Sequence, residues 1–207
     1  SAANKQAKSG DVVKVEIINH WRVATRYKNE GHGPWISDLS HLPRWDVQGR
    51  DIDTLSGHHL TIPPFSGMVA ADASKAVSRM NATQAEIWHF TPKESSLPGM
   101  PSLTDITDAQ ACLALYGPPT FSLMEKLTSL DLNDPVKSAP FFVQGPICHV
   151  PCRILLIKKS GDNKGLIFSF SRGYAADMVK AVLSAGEEFS LRPAGDGRFN
   201  RWIQTVL

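Results

Sequence analysis

The stretch DITDAQACLALYGPPTFSLMEKLTSLDL, residues 105–132, decides the fold. Ala109 to Tyr116 reads as a strand. Gly117-Pro118-Pro119 ends it where a helix can begin, because a proline in the first turn gives up no useful N–H. Phe121, Met124, Leu127 and Thr128 then recur at helical spacing. A strand running into a helix that packs back on it is the unit from which the rest of the chain can be read.

Downstream, Arg153 to Lys158 and Gly165 to Phe170 are two further strands. Ser160-Gly161-Asp162-Asn163-Lys164 between them is hairpin chemistry, so they should pair antiparallel. Ala175, Met178, Val179, Val182 and Leu183 fall at i, i+3, i+4, i+7 and i+8 and predict a second helix, with Gly186 as its C-terminal cap. Phe189 to Leu191 and Trp202 to Val206 read as closing strands or an extended tail.

Upstream, residues 1–10 carry almost no apolar surface and are expected to be a flexible arm. Val12 to Ile18 is β-branched and predicts a strand. Residues 21–57 read as strands joined by long loops, with Arg44 to Val47 one of them. Thr61 to Gly67 is turn-rich. Asp72 could cap a short helix carrying Ala76, Val77 and Met80 on one face. Ala85 to Phe90 alternates as a strand. Prolines, a glycine and serines mark residues 91–102 as a loop and a subdomain boundary within one domain spanning 11–207. Strands and helices in this order define an α+β fold with antiparallel or mixed sheets, helices on one face and two intimately packed halves; a split β-α-β unit is expected within it.

Composition narrows the function classes. The chain has 207 residues, 42% of them hydrophobic, and a formal net charge of +2 from 22 basic and 20 acidic residues. That is enough to build a core without metal or disulfides, and it carries no basic run that would read nucleic acid. No apolar stretch approaches the roughly 20 residues of a membrane span. Three cysteines make an odd set with no framework spacing, which fits a reducing, cytoplasmic setting.

Several residues carry potential chemistry. Cys148-His149-Val150-Pro151-Cys152 offers the ligand types that zinc favours, but no second cysteine pair completes a tetrahedron and the spacing is not Cys-x-x-Cys. Buried thiols at a strand entrance are the competing reading. His58 and His59 are adjacent, so their side chains diverge and serve one metal poorly. Ser40 beside His41, with Asp38 before them, lacks the elbow of a serine hydrolase. No glycine-rich phosphate loop occurs. Asp105 and Asp108 are the weak candidates for acid–base work, and equally for capping a turn.

Residues 105–132 resemble the stretch "(V/I)-D-(L/I)-S-D…L-x-L-x-G-P-x-A…L-x-K…L-D-L" of heterotetrameric sarcosine oxidase γ subunits and, less closely, of the glycine-cleavage T-protein. Further similarities follow in order: Phe141 to Gly145, Arg153 to Lys158, Ser169 to Ala175, Leu183 to Gly186 with Phe189, and Arg192 to Gly195. Upstream, Ser37-Asp38-Leu39-Ser40-His41-Leu42 is similar to the "D-x-S-H-L" of T-proteins, and Val47-Gln48-Gly49 to a "V-x-G" strand end. Together they cover about residues 37–195. The resemblance implies a T-protein-like folate-binding fold. The T-protein moves a carbon from an aminomethyl-lipoyl carrier to tetrahydrofolate, and the γ subunit is a shortened relative beside flavin-bearing subunits. The chain departs from the catalytic branch twice. The "Y-T-G-E-x-G" turn that helps hold folate is replaced by Ser160 to Gly165, and the "N-D" pair carrying the catalytic Asp has no counterpart before Trp88.

Three functions are therefore expected to compete. One is an accessory subunit beside flavoprotein partners. Another is a small folate-dependent aminomethyltransferase-like enzyme using Asp105 or Asp108, with tetrahydrofolate as cofactor. The third is a binding partner of a lipoyl carrier. Neither nucleic acid nor membrane is expected as a partner.

Overall fold

A computed structural model describes residues 11–55, 61–92 and 101–207. The expected arm at 1–10, the His58–His59 pair and residues 93–100 of the expected boundary lie outside them. β1 (Val12–Ile18) and β2 (Trp21–Tyr27) form a two-stranded hairpin.

A six-stranded sheet has the order β10-β11-β12-β9-β3-β13. Its strands are β3 (Trp35–Asp38), β9 (Gln110–Tyr116), β10 (Phe141–Ile147), β11 (Val150–Lys158), β12 (Gly165–Ser171) and β13 (Arg192–Pro193). A five-stranded sheet has the order β5-β6-β7-β4-β8, built from β4 (Arg44–Gln48), β5 (Val69–Ala71), β6 (Lys75–Asn81), β7 (Gln84–His89) and β8 (Leu103–Asp105). Among the described residues every strand pairing is antiparallel except that of β13 with β3. The chain is thus α+β with mixed sheets.

Among the described residues three α-helices complete the architecture: α1 (Thr120–Glu125), α2 (Ala175–Gly186) and α3 (Asp196–Val206). β9 shows why its sequence lacks polar alternation. Ala111, Leu113 and Leu115 face a core built with Phe121, Met124, Met178, Val179 and Val182 from α1 and α2. Cys112, Ala114 and Tyr116 face a second core with Trp88 of β7 and Phe199, Trp202 and Ile203 of α3. Each fully buried aliphatic or aromatic side chain contributes on the order of 1.5–3 kcal/mol. The two helices foreseen from sequence share one face of the six-stranded sheet, while α3 packs on the other.

Four local expectations are corrected. Asp72 caps no helix: its carboxylate accepts the N–H groups of Ser74 (2.7 Å) and Lys75 (3.1 Å) in the turn between β5 and β6. Ala76 and Val77 lie on opposite faces of a strand and fall in different cores. Trp202 to Val206 is helical, part of α3. Gly186 ends α2 without capping it, with φ −84°; Ser190 takes the left-handed conformation, φ 57°. A Cβ on Gly186 would lie 2.5 Å from the Leu191 Cβ, so close packing explains that glycine. The strand after α1, β10, joins the far edge of the sheet antiparallel to β9, whereas β12 and β13, joined through α2, run parallel with β9 and β3 between them, a split β-α-β connection.

The two halves exchange strands. β3, from the first half, pairs with β9 and β13, and β8, from beyond residue 102, returns to β4 in the five-stranded sheet.

Candidate functional site

Three segments that are distant in sequence enclose an open hollow of about 250 Å³. The β1–β2 hairpin brings Asn19, His20 and Trp21, the turn after β3 brings His41 and Pro43, and the segment after β8 brings Asp105, Thr107 and Asp108. Asn19 and His20 have φ of 48° and 67°, the two-residue turn that matches strand twist.

The structure brings both carboxylates predicted from sequence to this hollow. Asp105 accepts the Thr107 N–H at 2.9 Å, and Thr107 Oγ1 accepts the Arg44 N–H at 2.9 Å. Asp105 therefore caps the turn. The Asp108 side chain is 88% exposed and 4.0 Å from Arg172 Nη2. Arg172 also donates to the carbonyls of Thr107 and Gln110, each at 2.9 Å, and its guanidinium lies 4.4 Å from the centre of the Trp21 ring. The carboxylates of Asp105 and Asp108 at the rim of the hollow can accept hydrogen bonds from a cationic or amide-bearing ligand.

His41 is tied to the far end of the chain. It is 3% exposed, with Nε2 3.3 Å from Asp196 Oδ1 at the start of α3. Ser40 Oγ accepts the Cys112 N–H at 3.1 Å, and Asp38 accepts the Ser40 N–H at 2.9 Å. Asp38 and Ser40 each accept a backbone N–H and His41 lies against Asp196, so the three form no catalytic triad. His20, Trp21 and Arg172 were not singled out in the sequence. The available signal was Asn19-His20 between two β-branched runs, which marks a hairpin tip.

Glu30 ties the end of β2 to the start of α3. It accepts the N–H groups of Tyr27 (3.1 Å) and Gly195 (2.9 Å) and the Arg198 Nε–H (2.9 Å). Burial pushes its pKa up, but these hydrogen bonds and the Arg198 charge outweigh it and hold the carboxyl below its ordinary value. Between the sheets, Glu86 is fully buried, with Arg153 Nη1 3.0 Å from Oε2. There burial wins over the charges of Arg153 and Arg44, and its pKa is raised.

The cysteine–histidine run has a different place. Cys148 and His149, φ 50° and 65°, are the two-residue turn joining β10 and β11, closed by Ile147 opposite Val150. Cys152 belongs to the core around β9, and its thiol donates to the Val150 carbonyl at 3.2 Å. Burial raises the pKa of both thiols, that of Cys152 to about 12, which suppresses the thiolate that metal binding and disulfide exchange require. Among the described residues, no three His, Cys, Asp or Glu side chains gather to hold a metal ion, and no helix is long and apolar enough to cross a membrane.

No family model matches the chain. The aminomethyltransferase of Shouchella clausii (strain KSM-K16) is 30% identical over 99 residues, 48% of this chain and 26% of that protein. The aminomethyltransferase of Thermoanaerobacter sp. (strain X514) is 28% identical over 95 residues, 46% of this chain and 25% of that protein. The sequence match thus spans about a quarter of the length of these relatives.

Among solved structures, a chain of the heterotetrameric sarcosine oxidase from Corynebacterium sp. U-96, in complex with pyrrole 2-carboxylate, matches with a TM-score of 0.66 at 14% identity. The match covers 92% of this chain and 95% of that one. The glycine cleavage system aminomethyltransferase T from Bartonella henselae matches with a TM-score of 0.59 at 14% identity, over 92% of this chain and 58% of that one. The chain thus has the fold of these two structures, and over about half of its length its sequence is similar to those of aminomethyltransferases.

Proposed function

We propose that the chain is an accessory subunit, resembling the sarcosine oxidase γ subunit, in a cytoplasmic, folate-linked assembly that oxidises amines. The carrying observation is the extent of the structural match: 95% of the sarcosine oxidase chain is covered, against 58% of aminomethyltransferase T. The site supports a role without chemistry of its own. Asp105 is engaged as a turn cap, Asp108 is open to water, and burial keeps the Cys148 and Cys152 thiols protonated. The sequence departures at the folate-holding turn and the catalytic "N-D" pair support the same reading. Its partners are flavin-bearing subunits that carry the redox step.

Tagged chain recovered from its source cells should bring down protein with flavin absorbance near stoichiometric amounts. Recovery of the chain alone would overturn the proposal. A lipoyl carrier in the eluate instead would favour the carrier-binding alternative.

The hollow favours one second reading, a small folate-dependent aminomethyltransferase-like activity using Asp105 or Asp108. Calorimetric titration with tetrahydrofolate tests it. Saturable binding that weakens in Asp105→Asn and Asp108→Asn supports it, and no binding at millimolar ligand removes it.

A further inference from the structure

Arg44 of β4 is 2% exposed, yet among the described residues it forms no ion pair. Its Nη2 donates to the Gln110 carbonyl at a long 3.4 Å, while Nε and Nη1, both shut off from solvent, meet no acceptor among the described residues. Asp46 and Glu86, opposite each other on β4 and β7, are engaged elsewhere. Asp46 accepts from the side-chain amides of Gln48 and Gln84, and Glu86 Oε2 lies 3.0 Å from Arg153 Nη1. Arg172 donates to the same Gln110 carbonyl at 2.9 Å, so a second positive charge stands beside the first. A buried charge without a counter-charge is strongly unfavourable, and each buried donor left unmade adds to the cost.

Arg44 also lines a cavity of about 10 Å³, room for one water-sized body. Trp88 and His89 join it from the five-stranded sheet, and Cys112 and Ile167 come from the six-stranded one. The remaining side chains around the cavity are aliphatic or aromatic carbon. A water placed here needs acceptors for its own two hydrogens, and among the lining side chains only the His89 imidazole and the weakly accepting Cys112 sulfur can receive one. Burial pushes the Cys112 pKa up to about 12, so that thiol keeps its hydrogen and can donate. A surplus of donors around a small space suits a negatively charged occupant.

We propose that this cavity is a binding site for a small monatomic anion such as chloride, which acts as the counter-ion of Arg44 and links the two sheets. The unpartnered Nε–H and Nη1–H of Arg44 are its donors. A phosphate, or a ligand carrying a carboxylate, exceeds the space, whereas a halide is close to a water in size. The site lies apart from the hollow and needs neither folate nor a flavoprotein, so it stands independently of the assembly proposed above.

Thermal unfolding of the full chain at fixed ionic strength, with chloride exchanged for gluconate, tests this, because gluconate is too large to enter. The melting temperature of wild type should rise with chloride along a saturating curve, by about 4 °C at ten times the dissociation constant. Arg44→Met, its folding checked by circular dichroism, should be indifferent to the exchange. Crystals of wild type grown in bromide give a measurement that needs no variant: an anomalous peak beside the Arg44 guanidinium supports the site. The proposal is overturned by a wild-type melting temperature that ignores chloride, by a chloride dependence that persists unchanged in Arg44→Met, or by bromide crystals with no anomalous peak at Arg44.

Discussion

Two buried glutamates show how neighbours reverse the effect of the same side chain. For Glu30 the folded-state pKa is depressed below the ordinary 4.5, so its ionised form stabilises the fold. That contribution is complete above the unfolded value and is lost as pH falls through the lower folded one. Glu30→Gln should therefore cost about 2 kcal/mol at neutral pH, since charged hydrogen bonds are lost, and should flatten the acid limb of a stability–pH profile. An unchanged acid limb in the variant would count against the assignment. For Glu86 the pKa is raised above 4.5, so folding favours its neutral form and ionisation costs stability as pH rises. Glu86→Gln should melt at the same or a higher temperature than wild type at neutral pH, with the difference closing as pH falls to 4.5. Glu86→Ala should lose about 3–5 kcal/mol by leaving the Arg153 guanidinium without its buried partner. A melting temperature clearly lower for the Gln variant would show that the ion pair outweighs its desolvation. Neither glutamate was legible in the sequence, because Gly195 and Arg198 are 165 and 168 residues from Glu30, and Arg153 is 67 from Glu86.

At the scale of elements, α3 docks where glycine permits close approach. A Cβ on Gly165 would lie 2.6 Å from Trp202 Cζ2 and 2.7 Å from the Tyr116 Cβ. Gly165→Ala should cost about 1–3 kcal/mol by overpacking, read as a shift in the urea midpoint with no change in slope. A silent substitution would mean that α3 moves freely over β12. Elements set by local pattern could be read beforehand: β9, the β11–β12 hairpin and α2. The failures have two physical sources. Strand β6 is covered on both faces, so Ala76 and Val77 are both buried and the alternation that identifies a strand is erased. Helix α3 does carry Phe199, Trp202, Ile203 and Val206 at helical spacing, but a window opening at Trp202 isolates an apolar run that mimics a strand. The hollow was legible only in part. Asp105 and Asp108 stand together in sequence, whereas His20, Trp21 and Arg172 reach them through a hairpin and the end of β12.

For the whole molecule, the exchange of β3 and β8 makes the two halves mutually dependent. Fragments ending and beginning between residues 93 and 100 should each lack a cooperative unfolding transition when expressed alone, and mixing them should restore one. Two independent transitions would show that the halves are separate domains. The pairing of β13 with β3 joins Arg192 to Trp35, leaving most of the chain between two adjacent strands. A ribosome making this protein must therefore release everything from Trp35 through Arg192 before β13 can take its place beside β3. Until then the side of β3 that β13 will cover is an unpaired edge.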